Sequence, residues 1–439
     1  MKNTSRYLFL QGQISPFFAE LGRALQRRGH AVHRINFNGG DRQFWSLPGA
    51  VDFRGRPDQW PGYFKARLRD WHVTDVVLFG DCRPLHAAAI RIAVPLGVRV
   101  HVFEEGYLRP DYITLEPGGV NGHSTLPRDA ASYLRLAATL PELPAPSSIP
   151  ASFARRARED FLYHLSSLAS ATRFPHHHSH RPWHPLREYA IGAYRLPMKA
   201  ALRAKTEQRI RALVDGPQPY FLFPLQLAAD SQIRFHAPGD LPSLIRRCIE
   251  SFAARAPAES LLVLTEHPLD YGPVDLAKTV RDAATAAGVA SRTVFLRGGS
   301  PQELIAKARS LITVNSTIGI TALAAGVPVI TLGTAIYDLP GLSDQQGLDA
   351  YWSSPIGPDP LLFDAFRRVV AAHTQINGGF FSAEGIARAV TGALDRLPAT
   401  AEIHEAAPSP TRRANEPRAA LRPTAAFDTA TPPDCAEVA

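Results

Sequence analysis

Glu104 and Glu105 stand side by side in HVFEEGYLRPDYITLE, after an apolar run and before Gly106. Adjacent carboxyls suit general acid–base work, because neighbouring like charges push one pKa up. Successive strand residues point to opposite faces, so both reach one cleft only if the strand has already ended. An ion pair of either with Arg109 is the purely structural alternative. A second group lies in FPLQLAADSQIRFHAP, where Gln226 and Asp230 follow an apolar run; Asp230 is suited to be a nucleophile, a base or a helix cap. In LTEHPLD, His267 follows an apolar strand and Pro268 fixes the turn. A histidine there can hydrogen-bond a phosphate, act as an acid, or be an ordinary loop residue. In LITVNSTIGITALAAGVPVITLG, a strand ends at Asn315, Ser316 and Thr317 open a helix, and Gly319 falls in its first turn. Free N–H groups and the positive end of the helix dipole there attract an anion, most simply a phosphate. A plain Ser/Thr cap is the bland reading.

Other stretches carry less. Gly12 and Gln13 form a strand-to-helix turn able to touch an acceptor, and NFNGGD reads as a turn. The histidine-rich HHHSHRPWHP has irregular spacing and no Asp, Glu or Cys set to complete a site, so no metal is expected.

The elements that position these residues alternate. YLFLQG reads as a buried strand, residues 16–28 as an amphipathic helix with Phe17, Leu21 and Leu25 on one face, and AVHRINF as a second strand. That βαβ order implies a parallel sheet. TDVVLFG, a helix and VRVHVFEEG repeat it. Residues 125–215 are helical in pattern, with PELPAPSSIPAS as a linker. From PYFLFPLQL onward, strands and helices alternate again: SLLVLTEHP, TVFLRG, SLITVNS and VPVITLG are strands. The organisation expected is an N-terminal Rossmann-like acceptor domain (1–124), a helical insertion (125–215), a C-terminal Rossmann-like nucleotide-sugar domain (216–397) and a disordered tail (398–439). Ligands in such sheets bind outside the carboxyl ends of strands, so the crevice between two halves is the expected site.

The totals fit a globular chain. The 439 residues, 45% hydrophobic and 20% charged, suffice for two domains. Cys82, Cys248 and Cys435 lie far apart, which argues against a disulfide framework. YLFL is too short for a signal-peptide core, and no run reaches the roughly 18 apolar residues of a membrane span. The formal net charge of +8 favours anionic partners such as acidic lipid or phosphate-bearing substrates, while no nucleic-acid module is recognisable.

FLQGQISPFFAELGRALQRRGHAVHRINFNGGD, FEEGYLRPDYITLE, FPLQLAADSQI, EHPLD and NSTIGITALAAGVPVITLG, in that order, resemble the capsular polysaccharide biosynthesis proteins of the KpsS/LipB type. The resemblance runs over about residues 7–344. It implies a GT-B-like glycosyltransferase with two facing Rossmann-type domains, of Gram-negative bacteria. It implies transfer of 3-deoxy-D-manno-octulosonic acid (Kdo) from CMP-β-Kdo to lyso-phosphatidylglycerol, starting the poly-Kdo linker of a capsule polymer that an ABC transporter exports. By the same resemblance Asp230 matches a nucleophile, His267 and Pro268 the HP motif near the nucleotide phosphate, and Ser316 and Thr317 the helix that cradles CMP. Glu105 or Glu104 matches an acidic element assisting the acceptor hydroxyl; related two-module enzymes carry Asp where this chain has Glu105. Donor CMP-Kdo serves as substrate, with no cofactor or metal, and the protein is expected in the cytoplasm, peripheral at the inner membrane. Two other readings stay open: a UDP-sugar transferase or 2-epimerase, and a non-enzymatic export or assembly adaptor.

Overall fold

Short β-branched and aromatic runs, buried throughout in the central strands such as DVVLF, YFLFP and LLVLT, form the two sheets of the computed structural model, which describes residues 4–179, 183, 185–270 and 274–406. The first sheet gathers β1 (Arg6–Phe9), β2 (Ala31–Asn36), β3 (Ala50–Asp52), β4 (Asp75–Phe79), β5 (Arg99–Glu105) and β6 (Tyr112–Pro117). The second gathers β7 (Tyr220–Pro224), β8 (Leu261–Thr265), β9 (Thr293–Leu296), β10 (Ser310–Thr313) and β11 (Val329–Thr331). The last strand, β12 (Gln375–Asn377), belongs to the first sheet, whose order is β12-β6-β5-β4-β1-β2-β3. The second sheet runs β11-β10-β7-β8-β9 and is parallel throughout. The chain is therefore mixed α/β, with two facing Rossmann-type lobes in a GT-B-like arrangement. Residues 398–406 of the expected disordered tail instead continue the closing helix Ala383–Ala406, and the rest of it, 407–439, lies outside the described residues.

Three features depart from the sequence reading. First, β6 and β12 are antiparallel, where an all-parallel half was expected. Only six residues join β5 to β6, too few for a crossover, so the chain must turn straight back. Second, the span 216–397 does not close within its own lobe. β12 pairs with β6, and Phe380 packs edge-on against Phe17 at 5.2 Å and Phe79 at 5.6 Å in the first lobe's core. The closing helix Ala383–Ala406 adds Ile386, Ala389 and Ala393 to that core. Third, the helices of 125–215 are shared between lobes. Tyr133 packs on Phe366 at 5.4 Å and joins the second lobe's core with Ile210. The helix Phe153–Ala169 instead lands on the first lobe, where any Cβ at Gly39 would sit 2.1 Å from Ser166 O and one at Gly40 2.4 Å from the Tyr163 ring. NFNGGD is thus less a turn than a seat for a helix, with Asn38 capping residues 39–43.

The helix Phe17–Arg27 buries Phe17, Leu21 and Leu25, as its 3.6-residue spacing predicts. One core cluster carries Tyr107, Leu126 and Tyr133 into the same group as Leu222, Val263 and Leu311, so the lobes share buried apolar surface. Among the described residues, no helix is long and apolar enough to cross a membrane.

Candidate active site

The sheets place the chemistry-bearing residues at the carboxyl ends of β1, β4 and β5 in one lobe and of β7, β8 and β10 in the other. Pairing continues through Glu105: Glu104 lies opposite Thr114 and Glu105 opposite Ile113 on β6. The two carboxyls therefore diverge across the strand, as alternation demands. Glu105 Oε1 accepts from Gln13 Nε2 at 3.0 Å, and Glu104 Oε1 accepts the Glu105 N–H at 2.9 Å. Burial pushes the Glu104 carboxyl up to about 7; the Glu105 and Asp81 charges add to the rise, while the Glu105 N–H and Arg83 oppose it. Among the described residues Arg109 forms no ion pair with either glutamate. Its Nε donates to Gly106 O at 3.1 Å, and its charge acts instead on Asp230 and His267 of the second lobe.

The turn after β1 is braced from beneath. Arg83 Nη1 donates to Gln11 Oε1 at 2.8 Å and to Gly12 O at 3.3 Å. Gln11 Nε2 donates to the Tyr163 hydroxyl at 2.7 Å, and Tyr163 also meets Asn38 and Asp41. Between this turn and the helix Phe153–Ala169 opens a cavity of about 380 Å³, lined by Gln11, Gln13, Arg83, Phe161, Leu165 and Tyr189 among others. His176, His177 and His178 border the neighbouring cavity of about 140 Å³. The rest of the histidine patch falls partly outside the described residues.

In the second lobe, Gln226, Asp230 and Asn315 join in one network. Gln226 Nε2 donates to Asp230 Oδ2 at 3.2 Å and to Asn315 Oδ1 at 3.0 Å, and its Oε1 accepts the Asn315 N–H at 3.1 Å. Asp230 also caps the helix Ser231–His236, accepting the Gln232 N–H at 2.9 Å. Burial raises its pKa, with the Gln232 N–H, Gln226 and Arg109 restraining the rise. Each carboxylate oxygen accepts one bond here, which leaves each a further lone pair.

His267 Nδ1 accepts the Leu269 N–H at 3.1 Å, which assigns the proton of the neutral ring to Nε2. Burial lowers its pKa to about 4, helped by Lys199, Arg109 and Arg156. At neutral pH it is thus a hydrogen-bond donor and not an imidazolium acid. The turn through Pro268 is held by Lys199 from the long helix Pro185–Val214. Lys199 Nζ donates to the carbonyls of His267, Pro268 and Asp270 at 3.0–3.3 Å and pairs with buried Glu266 at 3.2 Å.

The expected phosphate cradle is smaller than the sequence suggested. Thr317 precedes a helix of only seven residues, Ile318–Ala324, without a side-chain capping bond, and Ser316 Oγ accepts the Ile318 N–H at 3.3 Å. Gly319 does not open the backbone to a ligand. A Cβ there would lie 2.3 Å from the Tyr337 hydroxyl, so the glycine admits Tyr337, which donates to Ser316 O at 2.5 Å.

Sequence reasoning missed what brings the lobes together. Asp81 and Cys82, after β4, meet His123 and His236; the His123 and His236 rings lie 4.7 Å apart, edge to face. Arg128 Nη1 reaches Ala335 O at 2.8 Å beside them. In the sequence Asp81 merely follows the strand TDVVLFG, and Cys82 is one of three scattered cysteines. No spacing links them to histidines that arrive on other elements. Burial pushes the Cys82 thiol up and lowers His236 to about 4, while the bond to Asp81 raises His123.

Residues 74–381 match the family described as capsule polysaccharide biosynthesis protein. The chain is 34% identical over 382 residues to the capsule polysaccharide export protein KpsS of Escherichia coli, covering 86% of this chain and 97% of that protein. It is 33% identical over 393 residues to the capsule polysaccharide modification protein LipB of Neisseria meningitidis, covering 87% and 93%. Among solved structures it is similar to Thermosulfurimonas dismutans KpsC, beta Kdo 2,7 transferase, at a TM-score of 0.42 and 13% identity, covering 90% of this chain and 99% of that one. By the family match and by the extent and identity of these relatives, the chain belongs to the capsule polysaccharide biosynthesis protein family.

Proposed function

We propose that the protein is a glycosyltransferase that moves β-Kdo from CMP-β-Kdo to lyso-phosphatidylglycerol, beginning the linker of an exported capsule polymer. The observation that carries this reading is the second-lobe constellation. A carboxylate fixed by Gln226 and its own helix, and a neutral, N–H-donating histidine after the neighbouring strand, both feel the charge of Arg109 from the other lobe. An anionic nucleotide can be held by such fixed dipoles and cations.

In this reading Asp230 attacks C2 of the sugar as the bond from C2 to the cytidylate oxygen breaks, leaving CMP and a glycosyl-aspartate. His267 Nε2–H stabilises the departing phosphate. The acceptor hydroxyl then attacks C2, passes its proton to Glu104 or Glu105, and frees the Asp230 carboxylate, with net retention. Asn315, Ser316 and Thr317 line the nucleotide side, and Pro268 fixes the histidine's turn. The apolar side of the 380 Å³ cavity, beside the Gln13 that bonds Glu105, suits an acceptor with one polar and one hydrocarbon end. The protein then works at the cytoplasmic face of the inner membrane, beside the export machinery.

Incubation with CMP-Kdo generated in situ and lyso-phosphatidylglycerol, read by mass spectrometry, tests the proposal. The expected product is the acceptor plus one Kdo. Asp230→Asn should lose turnover by at least about 10³-fold with an unchanged circular dichroism spectrum. Full activity in that variant overturns the nucleophile assignment, and no product from folded wild-type protein favours the adaptor.

A further inference from the structure

Apart from the residues assigned to sugar transfer, four side chains competent to bind metal converge where the lobes meet. Asp81 and Cys82 follow β4, His123 ends the short turn Asn121–His123, and His236 closes the helix Ser231–His236 of the other lobe. One donor atom from each lies within 4.8 Å of all the others. Cys82 Sγ is 3.3 Å from Asp81 Oδ1 and 3.3 Å from His236 Nε2, and Asp81 Oδ2 is 2.9 Å from His123 Nδ1. A tetrahedral zinc with ligand bonds of about 2.0–2.3 Å sets its donors roughly 3.3–3.8 Å apart. The four atoms are therefore within small side-chain adjustments of that shell.

We propose that Asp81, Cys82, His123 and His236 together bind one divalent transition metal, zinc by ligand type, which ties the two lobes together. One thiolate and two imidazoles favour zinc-like ions over magnesium or calcium, which prefer all-oxygen shells. The Val120 N–H donates to Asp81 Oδ2 at 3.1 Å and orients the carboxylate from behind, as outer-shell partners of metal ligands do. Four protein ligands complete a tetrahedron and leave no open position, so the ion is structural and not a Lewis acid for the transfer. Asp81, Cys82 and His123 belong to one lobe and His236 to the other, so the ion fixes the lobes' relative position. The proposed ion departs from the metal-free protein that the histidine patch and the family resemblance led one to expect, at residues neither of them concerned.

The test uses the full-length chain purified without chelator. Elemental analysis after dialysis should find about one zinc per chain. Cobalt loading should give a thiolate-to-metal charge-transfer band, and added zinc should raise the melting temperature. Cys82→Ser should abolish the band, and His236→Ala should weaken zinc binding by at least about tenfold. A variant with His176, His177 and His178 all changed to Ala should keep the band. Should Cys82→Ser fail to fold, the half-exposed His123→Ala supplies the same affinity readout. Folded cobalt-loaded protein without the thiolate band overturns the proposal. So does a band that survives Cys82→Ser, or zinc affinity unchanged in His123→Ala.

Discussion

Glu104 and Glu105 differ in what surrounds them, and that difference gives a way to tell their proposed roles apart. Glu104 faces Arg83 and Asp81 from the segment after β4 and Glu105 from its own strand, and its pKa rises from 4.5 to about 7. Unfolded, the group loses its proton near 4.5; folded, it keeps it to near 7. Between those values the folded state binds more protons, so this residue's contribution to stability falls as pH rises. Glu104→Gln should therefore melt higher than wild type near pH 8, with the gap closing near pH 4, in thermal scans across that range. A variant that melts lower at every pH would show that Glu104 is held ionised. If Glu104 takes the acceptor proton, turnover should also climb through about pH 7, and Glu104→Gln should flatten that limb. A profile altered only by Glu105→Gln assigns the base to Glu105. The chemistry of the strand ends was legible in the sequence, because an acidic or hydroxyl residue after an apolar run sits on the ligand edge of a parallel sheet. Which carboxyl is shifted was not, since Arg83 and Asp81 reach Glu104 only through the pairing of β4 with β5.

At the scale of elements, two clamps hold the site. Lys199 spans the turn at Pro268 and neutralises Glu266, which is 4% exposed. Lys199→Met should leave Glu266 as a lone buried charge and cost about 3–5 kcal/mol, and adding Glu266→Gln should recover most of that loss. Urea denaturation of both singles and the double measures it; additive losses would mean that the pair is uncoupled. The second clamp is the returning C-terminus. Phe380 is 1% exposed among Phe17 and Phe79, and Phe380→Ala should cost about 3–5 kcal/mol although it lies far along the chain from the lobe it stabilises. A loss below about 1 kcal/mol would mean that the return strand is dispensable. The helices and parallel strands could be read locally, because the spacing of Phe17, Leu21 and Leu25 and runs such as DVVLF declare their own burial. The three-residue β12 could not, since what makes it a strand is Tyr112–Thr114, more than 260 positions earlier. The same reason hid Asp81 and His236 from each other.

At the scale of the whole molecule, charge and exposed apolar surface point the same way. The chain carries a formal +8. Phe161, Leu165 and Leu168 recur at helical spacing on one outward face of Phe153–Ala169, between 49% and 56% exposed, with Phe153 at 64%. Arg158 lies exposed on the same helix, three residues before Phe161. Such a face carries both terms of interfacial binding, apolar insertion and attraction to anionic headgroups. It also borders the cavity beside Gln13, so a lipid acceptor would enter from the side that meets the bilayer. The protein should co-sediment with vesicles containing phosphatidylglycerol, less so as salt rises, because exposed charges are screened over about 10 Å at 0.1 M. Phe161→Ser with Leu165→Ser should cut binding about tenfold or more while leaving the melting temperature nearly unchanged, since neither side chain is in the core. Equal binding to neutral vesicles would remove the electrostatic half of this account. Unchanged binding by the double variant would remove the helix from it and leave the net charge alone to explain attachment.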